Sequence, residues 1–487
     1  MSDYRPLLDH AGDSSSHYGT SSDATDGPTL SYVDEQNRPM VERRLLRKLD
    51  LRVAFLILIY IMSCVSLVYL VAARLRGFEK DLGMTGNQFN TLISIFYTGY
   101  VLLQAPSNVF LDRIDRPSIY LSSCMAIWGA ITLSMGMYLY HTALILRFFL
   151  GFVEASFFPG AVFLLSRWYK RNELGLRTAL LDCGNSISYA FSPLAASGIL
   201  ASFDGILGFP AWRWLFFLEG ILTIVIAVSA IWILPDIPST PSVWLSPDEQ
   251  TLAKRRAEEE TATGDEHQGK PVEGFSGLVE ALVDWKVWWL GTALCFMVAS
   301  LSCGNFFPTL SATMGYSATV SLLLCAPPWI LGTATSFIVA WHSDATGERF
   351  WHIAGPILVG VAGFIIAIST MNTAVRYLSL FFMTQPPVAF VVLITWVMNT
   401  FSQSQSKRAA AIGLINSMGM FGNMGASYFW PSSWGPTYVN SYLICTLTSI
   451  ICIAMCWAFR QHLARCNEAA EAEEEALGLP KGFRYLL

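Results

Sequence analysis

Arg147 and Glu154 are charged residues inside a single apolar run, 143–166. A charge at the centre of a bilayer costs between about 2.5 and well over 10 kcal/mol unless it meets a cavity or a partner. Seven residues at 100° each return to nearly the same helical face, and the rise separates the two by roughly 10 Å along the axis. That is too far for an easy direct ion pair, so both are expected to point into a central cavity. Glu154 has the chemistry of a proton carrier, because burial disfavours the charged form of a carboxyl. Arg147 has the chemistry of a fixed positive charge that either tunes the carboxyl or contacts an anion. The structural alternative is that each pairs with a neighbouring helix and only holds a bundle together.

Neutral polar residues in other apolar runs extend the candidate pathway. Ser63, Ser66 and Tyr69 follow at i, i+3 and i+6, a mildly polar stripe from which Ser66 and Tyr69 could hydrogen-bond a solute. Asn305, Trp396 and Asn399 are expected at cavity positions, against the alternative that a single Trp faces lipid or the interface. Asn416, Gly419 and Asn423 share a face, and Gly413, Gly422 and Gly425 permit close helix packing. Asp182 is expected to pair with a basic residue such as Arg177. Arg213 and Glu219 flank the start of a span, where Trp212 and Trp214 suit the membrane interface, and read as structural. Two short charged loops sit in corresponding places: Asp112-Arg113, and Ser343-Asp344-Ala-Thr-Gly347-Glu348-Arg349. Asp112, Arg113, Asp344, Gly347 and Arg349 read as a gate latch or, more plainly, as charge anchors beside the membrane.

The elements that hold these residues follow from composition. Of 487 residues, 31 are basic and 36 acidic, or 14 % charged, while 53 % are hydrophobic. Soluble proteins carry roughly 25 % charged residues, so the chain cannot surface several soluble domains and is a membrane protein. A net charge of -5 without a basic block excludes a nucleic-acid partner, and no His/Cys cluster calls for a metal or other cofactor. Nine of the ten cysteines lie in apolar runs and read as small packing residues. Seven scattered histidines and no nucleophile–base spacing argue against an enzyme.

Twelve runs of about 20 apolar residues, each enough to span a bilayer, lie near 51–73, 88–111, 118–140, 143–166, 176–201, 212–234, 286–307, 319–341, 352–371, 376–401, 409–430 and 438–459. The expectation is an all-α membrane protein of twelve transmembrane helices in two six-helix bundles, 51–234 and 286–459. A disordered tail, 1–50, a solvated linker, 235–285, and a C-terminal tail, 460–487, lie outside them. With the N-terminus inside, Lys and Arg number 24 on the inner side and 4 on the outer. The positive-inside rule then makes tails and linker cytoplasmic. Gly264 to Pro271 imitates a phosphate loop, but Pro271 stands where Ser or Thr is needed and no strand precedes it. Pro106, Pro159, Pro193, Pro327-Pro328 and Pro386-Pro387 are expected to interrupt the second, fourth, fifth, eighth and tenth spans.

The sequence resembles the major facilitator superfamily, and within it the fungal anion:cation symporter group of allantoate- and nicotinate-permease-like proteins. The stretches that carry the resemblance run in order from about 45 to 465. They include Gly77 to Gln88, Pro106-Ser107-Asn108, Leu146 to Gly160, Ser166 to Gly175 and Trp212 to Gly220. In the second half they include Phe307-Pro308-Thr309, Met314 to Ser317, Ala326-Pro327-Pro328, Ser343 to Arg349, Lys407-Arg408-Ala409 and Pro431-Ser432-Ser433. The resemblance implies a monomeric, proton-coupled transporter of a small organic solute such as a carboxylate or vitamin-like compound, working by alternating access. One departure stands out: where the group carries an Asp-Arg pair on the first helix, this chain reads Ser66-Leu67-Val68-Tyr69. A facilitator or exporter of a neutral or hydrophobic metabolite is therefore the alternative, and a nutrient sensor the third reading. The plasma membrane is the expected location, with Asp3-Tyr-Arg-Pro-Leu7-Leu8 as an alternative sorting signal toward a vacuole or endosome.

Overall fold

A computed structural model describes residues 37–111, 114, 116–137, 140–169, 171–265, 276–401, 405–477 and 484–487. Among these residues there are helices and no strands. Twelve long rods organise the described residues. The first six are α1 (Arg38–Arg74), α2 (Gln88–Leu111), α3 (Pro117–Met135), α4 (Tyr140–Trp168), α5 (Arg171–Ser202) and α6 (Ala211–Ile233). The second six are α7 (Trp285–Gly304), α8 (Ala318–Thr346), α9 (Phe350–Ser369), α10 (Thr373–Thr400), α11 (Gln405–Ala426) and α12 (Val439–Leu477).

The packing repeats. In the first six, α1 packs on α5, α2 on α4 and α3 on α6; in the second six, α7 packs on α11, α8 on α10 and α9 on α12. The halves meet along α2 with α11 and α5 with α8, a reciprocal exchange expected of two related bundles. Nine rods among the described residues are long and apolar enough to cross a membrane. The other three, α2, α5 and α11, are rods that meet across the halves, and polar residues on them such as Ser94, Gln104, Ser188 and Ser192 are buried.

At the rod ends opposite the chain termini, the halves are tied by hydrogen bonds. Tyr428 donates to Thr91 Oγ1 at 3.2 Å, Ser94 to the Met424 carbonyl at 3.2 Å and Ser197 to the Thr319 carbonyl at 3.3 Å. Deeper in, Ser417 donates to Gln104 Oε1 at 3.2 Å.

The proline expectation holds in part. Rods α4, α8 and α10 break beside Pro159, Pro327 and Pro386. The α4 break at 155–156 falls where Pro159 has no N–H for the Ala155 carbonyl. Pro106 and Pro193 instead lie inside uninterrupted α2 and α5.

Two boundaries differ from the sequence reading. Rod α1 begins at Arg38, so residues 38–50 are helical and not part of a disordered tail. The stretch 235–285 holds a helix, Pro247–Asp265, that docks on this extension of α1. Arg38 pairs with Glu259 at 2.7 Å, Lys48 with Glu249 at 2.7 Å, and buried Arg256 reaches Glu173 on α5 at 2.6 Å. These pairs consume charges that look solvated when read in sequence. Gly264 and Asp265 close the docked helix, and the rest of the imitation phosphate loop, 266–271, lies outside the described residues.

Candidate functional site

The charged core of the N-terminal half depends on how closely α2 and α4 approach. Gly99 lies against the Phe148 carbonyl and Gly151 against the Phe96 carbonyl, and a Cβ at either would collide with that backbone. The mutual contact fixes α4 so that Arg147 and Glu154, each about one turn from Gly151 on the same stripe, face the interior. Both are buried, Arg147 at 1 % exposure and Glu154 at 4 %.

Their partners come from α1. The Ser63 hydroxyl donates to Glu154 Oε1, while Oε2 is buried without a hydrogen-bond partner. Arg147 Nη2 donates to the Ser66 carbonyl at 3.5 Å, its Nε has no partner, and its guanidinium lies 5.8 Å from the Phe96 ring centre. No carboxylate oxygen lies within 4 Å of Arg147 among the described residues, so its charge is desolvated yet unpaired. Glu219 and Glu154 both lie within electrostatic range. Ser66 and Tyr69 belong to this cluster: the Ser66 hydroxyl is buried and unpartnered, and Tyr69 neighbours Glu219.

A second group bridges the halves. Tyr189 of α5 donates to Asn305 Oδ1 at 2.5 Å, and Asn305 Nδ2 donates to the Tyr97 hydroxyl at 3.4 Å. Tyr189 also stacks on Trp329 of α8, with ring centres 4.5 Å apart. Asn305 is thus placed beside α2 and α5. Tyr97, Tyr189 and Trp329 went unsingled because an aromatic in an apolar run has no signal separating a cavity wall from a lipid face. Ser63 was visible as part of the α1 stripe, but its partner Glu154 is 91 residues away.

Other candidates fall elsewhere. Trp396 is not at a solute cavity: it is 1 % exposed, its indole donates to the Leu486 carbonyl at 2.8 Å, and Phe459 packs against its ring. Asn399 sits in the last turn of α10, at that same end of the bundle. On α11, Asn423 Nδ2 contacts Met420 Sδ at 3.8 Å, and Asn416 adjoins Ser417, which bonds Gln104 across the halves. The packing glycines of α11 are Gly419 and Gly422, which meet Leu294 and Cys295 of α7, whereas Gly413 and Gly425 meet nothing within 4 Å. Arg177 pairs with Asp50 at 3.0 Å instead of Asp182, because the α1 extension brings Asp50 to it first.

The α8–α9 loop is tied together by its own polar groups. Arg349 Nη1 reaches Asp344 Oδ1 at 2.7 Å and the Ser343 hydroxyl at 2.9 Å, and Ser343 in turn donates to the Glu348 carbonyl. Gly347 supplies the left-handed turn at φ +68°. The last described residues strap this loop. The Phe350 N–H donates to the Leu487 carbonyl at 3.4 Å, and Tyr485 and Asn467 exchange two bonds of 2.9 Å. The counterpart loop residues Asp112 and Arg113 lie outside the described residues.

The chain matches known proteins over most of this architecture. The family model described as Major Facilitator Superfamily matches residues 53–427. The MFS-type transporter cnsO of Penicillium expansum is 32 % identical over 416 residues, covering 81 % of this chain and 78 % of its own. A protein of Agrobacterium vitis whose assigned name proposes a tartrate transporter is 30 % identical over 395 residues, covering 78 % and 86 %. Among solved structures, a bacterial homologue of the human lysosomal transporter Spinster, inward-facing, aligns with a TM-score of 0.63 at 15 % identity. That alignment covers 87 % of this chain and 97 % of that one.

Proposed function

Because the chain belongs to the major facilitator superfamily, we propose that it is a proton-coupled secondary transporter of a small organic carboxylate, working by alternating access around the Arg147–Glu154 layer. The observation that carries this is a buried guanidinium with no carboxylate within bonding distance, beside a carboxyl with one oxygen free. A fixed cation without a partner is stabilised by an incoming anion, and a buried carboxyl alternates between protonated and ionised forms as its surroundings change. The Agrobacterium relative's tartrate name points to the same substrate class. The reading places the protein as a monomer in the plasma membrane with both termini cytoplasmic, supported by the excess of Lys and Arg on the inner side.

Coupling divides the work. Glu154 takes a proton, which releases its hold on the surrounding positive charge; Arg147 holds the anion; Asn305, Asn416 and Asn423 furnish neutral contacts from the opposite half. Asp344, Gly347 and Arg349 form the latch of the C-terminal half and Asp112-Arg113 that of the N-terminal half. The uncharged Ser66-Leu67-Val68-Tyr69 stretch favours a second reading, transport of a neutral metabolite without coupling. Glu154→Gln separates them. Accumulation against a gradient is lost while solute exchange persists; proton dependence unchanged by the substitution overturns the assignment.

A further inference from the structure

Glu219 is a carboxyl without a stated purpose. It is 2 % exposed on α6, and both of its oxygens are buried with no hydrogen-bond partner. The sequence position, near the start of a span and shortly after the interfacial Trp212 and Trp214, reads as structural, yet a structural carboxyl is held by donors and this one is not. Its place in the bundle is level with Arg147. Rods α4 and α6 run in the same direction, Arg147 being the eighth residue of Tyr140–Trp168 and Glu219 the ninth of Ala211–Ile233. The contact of Gly220 with Gly129 and Leu133 seats α6 tightly on α3.

The charged and titratable groups facing Glu219 are few. Arg147 and then Glu154 from α4 are its electrostatic neighbours, and Tyr69 comes from α1; α3 meets this stretch with Gly129 and Leu133. Arg147 therefore has two carboxyls in electrostatic range, Glu154 two turns along its own rod and Glu219 on α6, and is ion-paired to neither. Its Nε and the free oxygens of both acids are the unused bonding capacity of one cluster.

We propose that Glu219 is a second, alternate partner of Arg147, a positioning residue that holds the guanidinium toward α6 when Glu154 is protonated and yields it when Glu154 is ionised or an anion is bound. The inference deepens the transport reading by giving Arg147 a resting place, and rests on that reading for its purpose in the cycle, though not for its test.

Dicyclohexylcarbodiimide reacts with protonated carboxyls in apolar surroundings, so labelling of Glu154 and Glu219 in the purified full chain, read by peptide mass spectrometry between pH 6 and 8, follows the cluster with no solute present. An alternate partner means that removing either acid leaves Arg147 to the other and keeps it ionised. Glu219→Gln is expected to lower labelling of Glu154 about tenfold, the scale of one unit charge a few ångströms away. Glu154→Gln lowers labelling of Glu219 similarly, with α6 left native in case the Glu219 variant does not fold. Glu219→Asp restores the wild-type pattern at Glu154, and Arg147→Gln abolishes the cross-effect. Labelling of each acid that ignores the other overturns the inference while leaving proton-coupled transport untouched. Coupled labelling in a protein whose transport ignores protons keeps the inference and overturns the transport reading.

Discussion

The two halves share a packing plan and differ in where they put charge. In the N-terminal half, Arg147, Glu154, Asp182 and Glu219 stand within the rods, away from their ends. In α7–α11, Lys286, Asp344, Arg376, Lys407 and Arg408 all lie in first or last turns, and α9 has no charged residue at all. Charge inside a membrane rod is expensive and persists where it has work or a partner. One half therefore carries the titratable chemistry, while the other offers a neutral wall of Asn, Tyr and Trp contacts and a strapped loop at its terminus-side end.

Breaking the frame that holds the charged layer gives the largest effect. Gly151→Val drives a side chain into the Phe96 backbone, which cannot yield as a flexible side chain would. Overpacking of this kind costs about 1–3 kcal/mol and often more, so loss of the monodisperse folded protein is expected, read by size exclusion after purification.

The comparison sharpens when a buried arginine is removed from each half. Arg147→Ala abolishes anion accumulation. Arg376, 3 % exposed, has its Nη2 on the Pro436 carbonyl at 3.2 Å at the start of α10. Arg376→Ala loses that charged hydrogen bond, about 1.5–3 kcal/mol, and lowers the melting temperature with the proton dependence of transport unchanged. Equal transport phenotypes for the two variants would dissolve the distinction between the halves.

A smaller effect concerns the docked helix Pro247–Asp265. Burial alone would raise the Glu249 carboxyl, but Lys48 and the Ser246 backbone N–H bring it below its ordinary range. A depressed folded-state value gives stability that is present above the unfolded value and lost as pH falls through the folded one. Hydrogen exchange in this helix should therefore quicken as pH drops below about 4, after correction for the intrinsic pH dependence of exchange. Lys48→Met removes that extra acid sensitivity.

The smallest effect is at the terminus-side end of the second half. Trp396→Phe deletes the bond to the Leu486 carbonyl and leaves the ring packing on Phe459, for a cost of about 1 kcal/mol. Uptake at saturating solute stays at the wild-type level, whereas a solute-binding Trp396 would show as a raised KM.

These outcomes track what could be read from the sequence. Rod α2 runs Gln88–Leu111, as its apolar run indicates, because Asn87 and the following loop change composition sharply. The start of α1 was hidden because Arg43, Arg44, Arg47 and Lys48 look like the edge of a membrane span, and the linker helix that covers part of this stretch is some 200 residues away. Trp396 misled for the same reason, its acceptor Leu486 being 90 residues on. Arg147 and Glu154 were legible because charge in an apolar run is rare; Glu219 carried the same signal and was discounted for its nearness to Trp212 and Trp214. Periodicity shows which residues share a face of one rod, and only packing shows which face of another rod they meet.

The central claim is that the N-terminal charged layer couples an anion to protons. The most direct measurement is uptake of labelled monocarboxylates, nicotinate and neutral metabolites into cells expressing the chain, at pH 5 and pH 7.5, with and without a protonophore. Accumulation of an anion at pH 5 that collapses with protonophore is predicted, and Glu154→Gln abolishes it. Flux of neutral compounds alone, indifferent to pH and protonophore, would contradict the coupling assigned to Arg147 and Glu154.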